Sequence, residues 1–88
     1  MIKVEIYSSL LCPFCYRAKT LLKHKGINFF EIDVDKNSLA RREMVQRANG
    51  RTSVPQIFLN DIGIGGSDDL ADIEASGKLD RLLLSEEC

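Results

Sequence analysis

Apolar and polar residues alternate at the start of the chain. Val4 and Ile6 flank Glu5 within residues 3–7, and Ser8-Ser9 ends the run, which predicts a short strand. The period then changes to that of a helix. Phe14, Ala18, Leu21 and Leu22 recur at helical spacing behind Pro13, and Gly26 closes the element. Proline suits a first helical turn because the N–H it lacks would have no partner there. Residues 27–34 predict a second strand, with Phe29, Phe30, Ile32 and Val34 as its apolar content. A strand–helix–strand of this length is a right-handed crossover between parallel strands.

Asp35-Lys36-Asn37-Ser38 reads as a turn. Residues 39–48 follow as a helix with Ala40, Met44, Val45 and Ala48 on its apolar side and Arg41, Arg42 and Arg47 on the other, ending at Asn49-Gly50. Residues 56–59 and 62–65 predict a hairpin about an Asn60-Asp61 turn. Gly65-Gly66-Ser67-Asp68-Asp69 carries a helix start, with Ser67 expected as the N-cap and two carboxylates in the first turn. Leu70 and Ile73 are expected to face inward. Gly77 interrupts, and Leu79, Leu82 and Leu83 mark a last short helix. The order of elements predicts an α/β fold, a small mixed sheet of four strands flanked by helices. The expected strand order is 2-1-3-4 with the third strand antiparallel to the first, an order that periodicity alone does not fix. Residues 1–88 fit one domain of about 12 Å radius of gyration.

Composition narrows the function more than the fold. Twelve Lys and Arg against thirteen Asp and Glu leave a net charge of −1, without the positive field of a general nucleic-acid binder. Aromatic residues are 7% and Trp is absent, too few for a platform that stacks bases. No apolar run approaches the ~20 residues that span a bilayer. The chain runs into its first strand without a signal-peptide region, so a cytosolic setting, away from membranes, is expected. Three cysteines, an odd count with two in one turn, do not suit a disulfide scaffold.

Cys12-Pro13-Phe14-Cys15 lies between a predicted strand and a predicted helix. With Cys12 at the cap, its sulfur faces the unpartnered N–H groups of the first turn, which stabilise thiolate over thiol and pull its pKa well below ~8.5. Cys15 lies one turn inward without the same help. The pair is therefore asymmetric, with Cys12 as attacking thiol and Cys15 as resolving thiol. A structural zinc site wants four ligands, and only His24 and Cys88 are left to complete one, so no bound metal is expected. Cys88 follows Ser85-Glu86-Glu87, a polar tail, and is expected to be dispensable.

Two further segments could bind a partner. Thr52-Ser53-Val54-Pro55 precedes a strand, and a turn there could offer the Val54 backbone to an extended chain; the residues alone leave both Val54–Pro55 isomers open. Gly66-Ser67-Asp68 could hold a carboxylate on helix N–H groups and an ammonium on Asp68, a match to a zwitterion, although self-capping explains the same residues.

Taken in order, these segments resemble the glutaredoxins of the thioredoxin-fold superfamily, in particular the short bacterial dithiol type. The likeness runs from Val4 to Leu83. Cys12-Pro13-Phe14-Cys15 is similar to the family's Cys-Pro-Tyr-Cys centre, Ser53-Val54-Pro55-Gln56-Ile57-Phe58 to its Thr-Val-Pro-Gln-Ile-Phe segment, and Gly65-Gly66-Ser67-Asp68-Asp69-Leu70 to its Gly-Gly-(Cys or Ser)-Asp-Asp-Leu segment.

The resemblance implies a cis Pro55 and a glutathione-dependent oxidoreductase that reduces glutathionylated or disulfide-bonded client proteins as a monomer. It implies catalysis by Cys12 and Cys15, and glutathione held by Phe14, Ser53, Val54, Pro55, Gly66, Ser67 and Asp68. Val54 would pair with the cysteinyl residue, Ser67 and Asp68 would receive the γ-glutamyl carboxylate and ammonium, and Phe14 would flank the sulfur. One departure is Ser9, where the family usually carries a Lys that helps hold the glycyl carboxylate; Arg51 is a candidate substitute charge. Losing one exposed cation costs no more than ~1 kcal/mol. Two other functions use the same centre: a thioredoxin-like reductase fed by a flavoprotein, and an iron–sulfur scaffold in which two chains share a cluster. Such thioredoxin-like centres usually contain Trp, absent here, and Pro13 with Cys15 disfavours cluster binding.

Overall fold

A computed structural model describes residues 2–84; the expectation for Cys88 lies outside them. The order is β1 (Val4–Ser8), α1 (Pro13–His24), β2 (Phe30–Asp33), α2 (Ser38–Arg47), β3 (Gln56–Leu59), β4 (Ile62–Gly65), α3 (Ser67–Ala75) and α4 (Lys78–Leu84). The sheet runs β2-β1-β3-β4, with β1 parallel to β2 and antiparallel to β3, the expected order. The radius of gyration is 12.3 Å.

Strand alternation divides the core between the two faces of the sheet. Val4 and Ile6 of β1 join Ile57 and Leu59 of β3 on one face, buried with Ala18 and Leu22 of α1, Leu70 of α3 and Leu79 of α4. Tyr7 and Phe58 take the opposite face and pack with Val34 and with Met44 of α2. Their rings meet edge to face at 5.7 Å.

β2 is shorter than the apolar run that suggests it. Gly26, at φ +69°, donates to the Lys23 carbonyl and Ile27 donates to the Leu22 carbonyl, each at 3.0 Å, closing a Schellman cap on α1. The Ile27 N–H is thereby spent, and Ile27 and Phe29 pack against the first cluster as loop residues. The β3–β4 turn behaves as expected. Asn60 and Asp61 both have positive φ, 50° and 70°, which matches the right-handed twist of the flanking strands.

Glu31 ties three elements together beneath the loop that precedes α1. Lys19 Nζ and Ser8 Oγ each donate to its Oε2 at 2.7 Å. Lys19 first, and then Ser8, holds the Glu31 carboxyl below its usual range. Such a group adds stability above its unfolded value of about 4.3 and loses it as pH falls through the lowered folded value. The Lys19–Glu31 pair is partly exposed, so the contribution is below about 1 kcal/mol. On acidification from about pH 5 towards 3, wild type should lose melting temperature more steeply than Glu31→Gln. Parallel curves would show that Glu31 contributes nothing to acid sensitivity.

Candidate active site

Cys12 is the N-cap of α1, with extended backbone at φ −134° and ψ 100°. The Cys15 N–H donates to Cys12 Sγ at 3.1 Å, and the Tyr16 N–H donates to the Cys12 carbonyl at 3.1 Å. The sulfur thus sits where the peptide dipoles of α1 present their positive end. Cys12 and Cys15 are joined as a disulfide, with Cα atoms 5.2 Å apart. The two sulfurs differ in access: Cys15 is 1% exposed, whereas Cys12 is partly open to solvent.

The loop entering α1 is clipped from the side. Asp35 Oδ2 accepts from Ser9 Oγ at 2.7 Å and from the Leu10 N–H at 3.0 Å. These two donors, Ser9 first, hold the Asp35 carboxyl below its usual range. Ser9, the position at which the sequence departs from the resembling family, therefore fixes the loop.

Cys12 Sγ lies 3.8 Å from the Val54 carbonyl oxygen, 42 positions away in the chain. The Val54–Pro55 bond is cis, as the resemblance implies. The Gln56 side chain donates to the Ser53 carbonyl at 3.0 Å and closes this turn from below. The start of α3 packs against the turn so tightly that a Cβ on Gly66 would stand 3.2 Å from the Pro55 carbonyl. Gly65 has φ +105°, and a Cβ there would run into the Asp69 carboxylate and the Arg51 guanidinium.

A cleft of about 350 Å³ opens among these segments, lined by Phe14, Arg51, Ser53, Val54, Pro55, Gly66, Ser67, Asp68 and Asp69. All seven residues expected to hold a ligand share this one wall. Phe14 keeps helical spacing with Ala18 but stands half exposed at the cleft instead of entering the core. Ser67 differs from the expectation. Gly66 is the N-cap of α3 and Ser67 the first helical residue; the Gly66 N–H donates to Asp69 Oδ2 at 2.9 Å. Glycine can cap here because its backbone takes the extended conformation of an N-cap, and the Asp69 carboxylate, one turn on, accepts from its N–H. Ser67 is left buried with its side chain free of capping, and Asp68 is exposed.

Arg51, the candidate substitute for the missing Lys charge, and Asp69, outside the expected ligand set, complete the lining. Their side chains approach at 3.5 Å. The sequence signal for Asp69 is its place in the first turn after Gly66; nothing local joins it to Arg51 across the cleft.

The glutaredoxin family profile matches residues 4–64. Glutaredoxin 3 of Escherichia coli strain K12 is 52% identical over 83 residues, covering 94% of this chain and 99% of that protein. Among solved structures, the glutaredoxin of Brucella melitensis aligns with a TM-score of 0.83 at 48% identity, over 94% of this chain and 89% of that one. The buckwheat glutaredoxin–glutathione complex aligns with a TM-score of 0.84 at 26% identity, over 93% of this chain and 76% of that one.

Proposed function

The chain belongs to the glutaredoxin family, and from that premise we propose that it reduces glutathione–protein mixed disulfides and protein disulfides with electrons from glutathione. It is a thiol–disulfide oxidoreductase that works through its two cysteines. The observation that carries the finer reading is the setting of Cys12 Sγ, partly exposed at a helix start, with the Cys15 N–H at 3.1 Å and a cleft beside it.

In the reduced protein the helix-terminal N–H groups favour the Cys12 thiolate. It attacks the glutathione sulfur of a mixed disulfide. The bond between the two substrate sulfurs breaks, the client leaves as a thiolate that takes a proton from water, and Cys12 becomes joined to glutathione. A second glutathione thiolate attacks the glutathione sulfur of this adduct, releasing oxidised glutathione and the Cys12 thiolate. With a protein disulfide, Cys12 forms a bond to one client sulfur. The Cys15 thiolate then attacks Cys12 Sγ, frees the client thiol and closes the Cys12–Cys15 bridge, which two glutathiones reduce. No resident metal enters any step.

The same reading assigns the cleft to glutathione, an assignment that the buckwheat complex supports. The Val54 backbone pairs with the cysteinyl residue. Ser67, with the first N–H groups of α3, takes the γ-glutamyl carboxylate, and Asp68 takes the ammonium. Phe14 flanks the cleft beside the reacting sulfur, while Ser53, Pro55 and Gly66 shape the wall. The reading extends to one domain over residues 1–88, working as a monomer in the cytosol. Among the described residues no helix is long and apolar enough to cross a membrane.

Turnover of a small glutathione mixed disulfide, with glutathione and glutathione reductase as the electron source, is the direct test. No turnover, combined with reduction by a flavoprotein thioredoxin reductase, would transfer the protein to the thioredoxin-like function. Asp68→Asn tests the ligand assignment. Loss of the charge-assisted contact should lower kcat/KM by roughly 5- to 30-fold, towards the lower end because Asp68 is exposed. The melting temperature should barely move, since Gly66 and Asp69 form the cap. Unchanged kcat/KM would remove Asp68 from the glutathione site.

A further inference from the structure

Four large apolar side chains stand out of the surface within residues 10–16: Leu10 is 81% exposed, Leu11 91%, Phe14 52% and Tyr16 71%. Of the other large exposed hydrophobics among the described residues, Phe30 and Leu39 stand singly along the chain, and Ile62 and Leu82 line one small pocket that contains none of the cleft residues. Scattered ones need no explanation, whereas apolar side chains gathered around a reacting atom mark a contact surface. Phe14 belongs to the cleft wall; Leu10 and Leu11 do not line it. They occupy a loop that Asp35 holds through Ser9 Oγ and the Leu10 N–H, and Asp35 is itself braced by Arg41 at 3.8 Å. Little ordering is therefore left for the loop to undergo when a partner docks.

We propose that Leu10 and Leu11 form the specificity surface for client proteins, selecting disulfides whose attacked cysteine is flanked by apolar residues. The inference rests on the reading of Cys12 as the attacking thiol. Leu11 immediately precedes Cys12, and consecutive Cα atoms are 3.8 Å apart, so a chain bonded to Cys12 Sγ comes within reach of both leucines. The two sides of the sulfur differ in chemistry. The cleft side carries Arg51, Asp68 and Asp69, whereas the Leu10 and Leu11 side chains are apolar and the Asp35 carboxylate beside them is taken up by Ser9, the Leu10 N–H and Arg41, so the partner that fits the two leucines is an apolar segment.

The test compares wild type with the double variant Leu10→Ser, Leu11→Ser on two peptides. Each peptide is closed by one intramolecular disulfide in the same ring, with Leu and Val flanking the cysteines in one and Ser and Thr in the other. Wild type should prefer the apolar peptide by roughly tenfold in kcat/KM, expressed in KM, and the variant should bring that ratio close to one. Both proteins should turn over a small glutathione mixed disulfide equally, and they should melt alike because both side chains are exposed. An equal preference in the two proteins, or none in wild type, overturns the specificity surface and leaves the catalytic reading intact. Absence of small-disulfide turnover in wild type overturns both.

Discussion

Cys12→Ser is expected to reduce thiol–disulfide exchange to background, while Cys15→Ser keeps deglutathionylation within about an order of magnitude of wild type and loses most reduction of protein disulfides. The asymmetry follows from what each substitution removes. At position 12 the sulfur itself goes, and no other described sulfur is both exposed and at a helix start. Serine is a good N-cap, so α1 should stay in place and the loss should not come from unfolding. At position 15 the side chain changes, but the backbone N–H that donates to Cys12 Sγ remains. The monothiol protein therefore keeps its activated sulfur and lacks only the group that resolves a client-bound intermediate. Assays of both variants on a glutathionylated peptide and on a protein disulfide, with melting curves alongside, check this. The reverse pattern would move the nucleophile to Cys15.

Arg47→Met is expected to destabilise the protein by about 2–3 kcal/mol, which for a domain of this size lowers Tm on the order of 10–20 °C. Arg47 Nη1 donates to the Tyr7 hydroxyl and Nη2 to Glu5 Oε1, each at 2.8 Å, with Asp61 at 3.2 Å. The guanidinium also lies 4.1 Å above the Phe58 ring centroid. Methionine preserves much of the stem but leaves Glu5, largely buried, without a cation. Arg47→Lys should recover only part of the loss, because one ammonium cannot serve Tyr7, Glu5 and the ring face together. Combining Arg47→Met with Glu5→Gln should cost less than the two changes summed, since the stranded carboxylate is gone. A Met variant melting within a few degrees of wild type would reduce Arg47 to an ordinary surface residue.

Arg47 also shows where reading along the chain stops short. Its spacing places it on the polar side of α2 with Arg41 and Arg42, yet it is drawn over the second core cluster. The partners responsible, Glu5, Tyr7 and Phe58, belong to β1 and β3. A one-dimensional pattern records the angle of a side chain about its helix; it does not record a carboxylate and two rings waiting on the sheet below. The short β2 and the Gly66 cap are local in kind but turn on hydrogen-bond competition. Ile27 spends its N–H on the cap of α1, and Asp69 takes the Gly66 N–H, which puts the start of α3 one residue before the expected Ser67 cap.

What the sequence determined by itself was local and periodic. The strand–helix junction at Cys12-Pro13-Phe14-Cys15, the Asn60-Asp61 hairpin and the alternation of β1 follow from φ preferences, capping and side-chain period, which act over a few residues. The parallel β1–β2 pair follows from one such unit and the handedness of its crossover, whereas the placement of β3 beside β1 is a long-range pairing that no local period fixes. The cleft is of another kind. Phe14, residues 51–55 and residues 66–69 meet only because β1 and β3 are neighbours and the start of α3 packs on the Val54–Pro55 turn. The same packing decided that Phe14 lines the cleft, that Arg51 faces Asp69 and that Arg47 is half buried. Contacts between distant segments depend on burial and on which polar groups remain unpaired after the sheet closes, and neither is a property of any one stretch of chain.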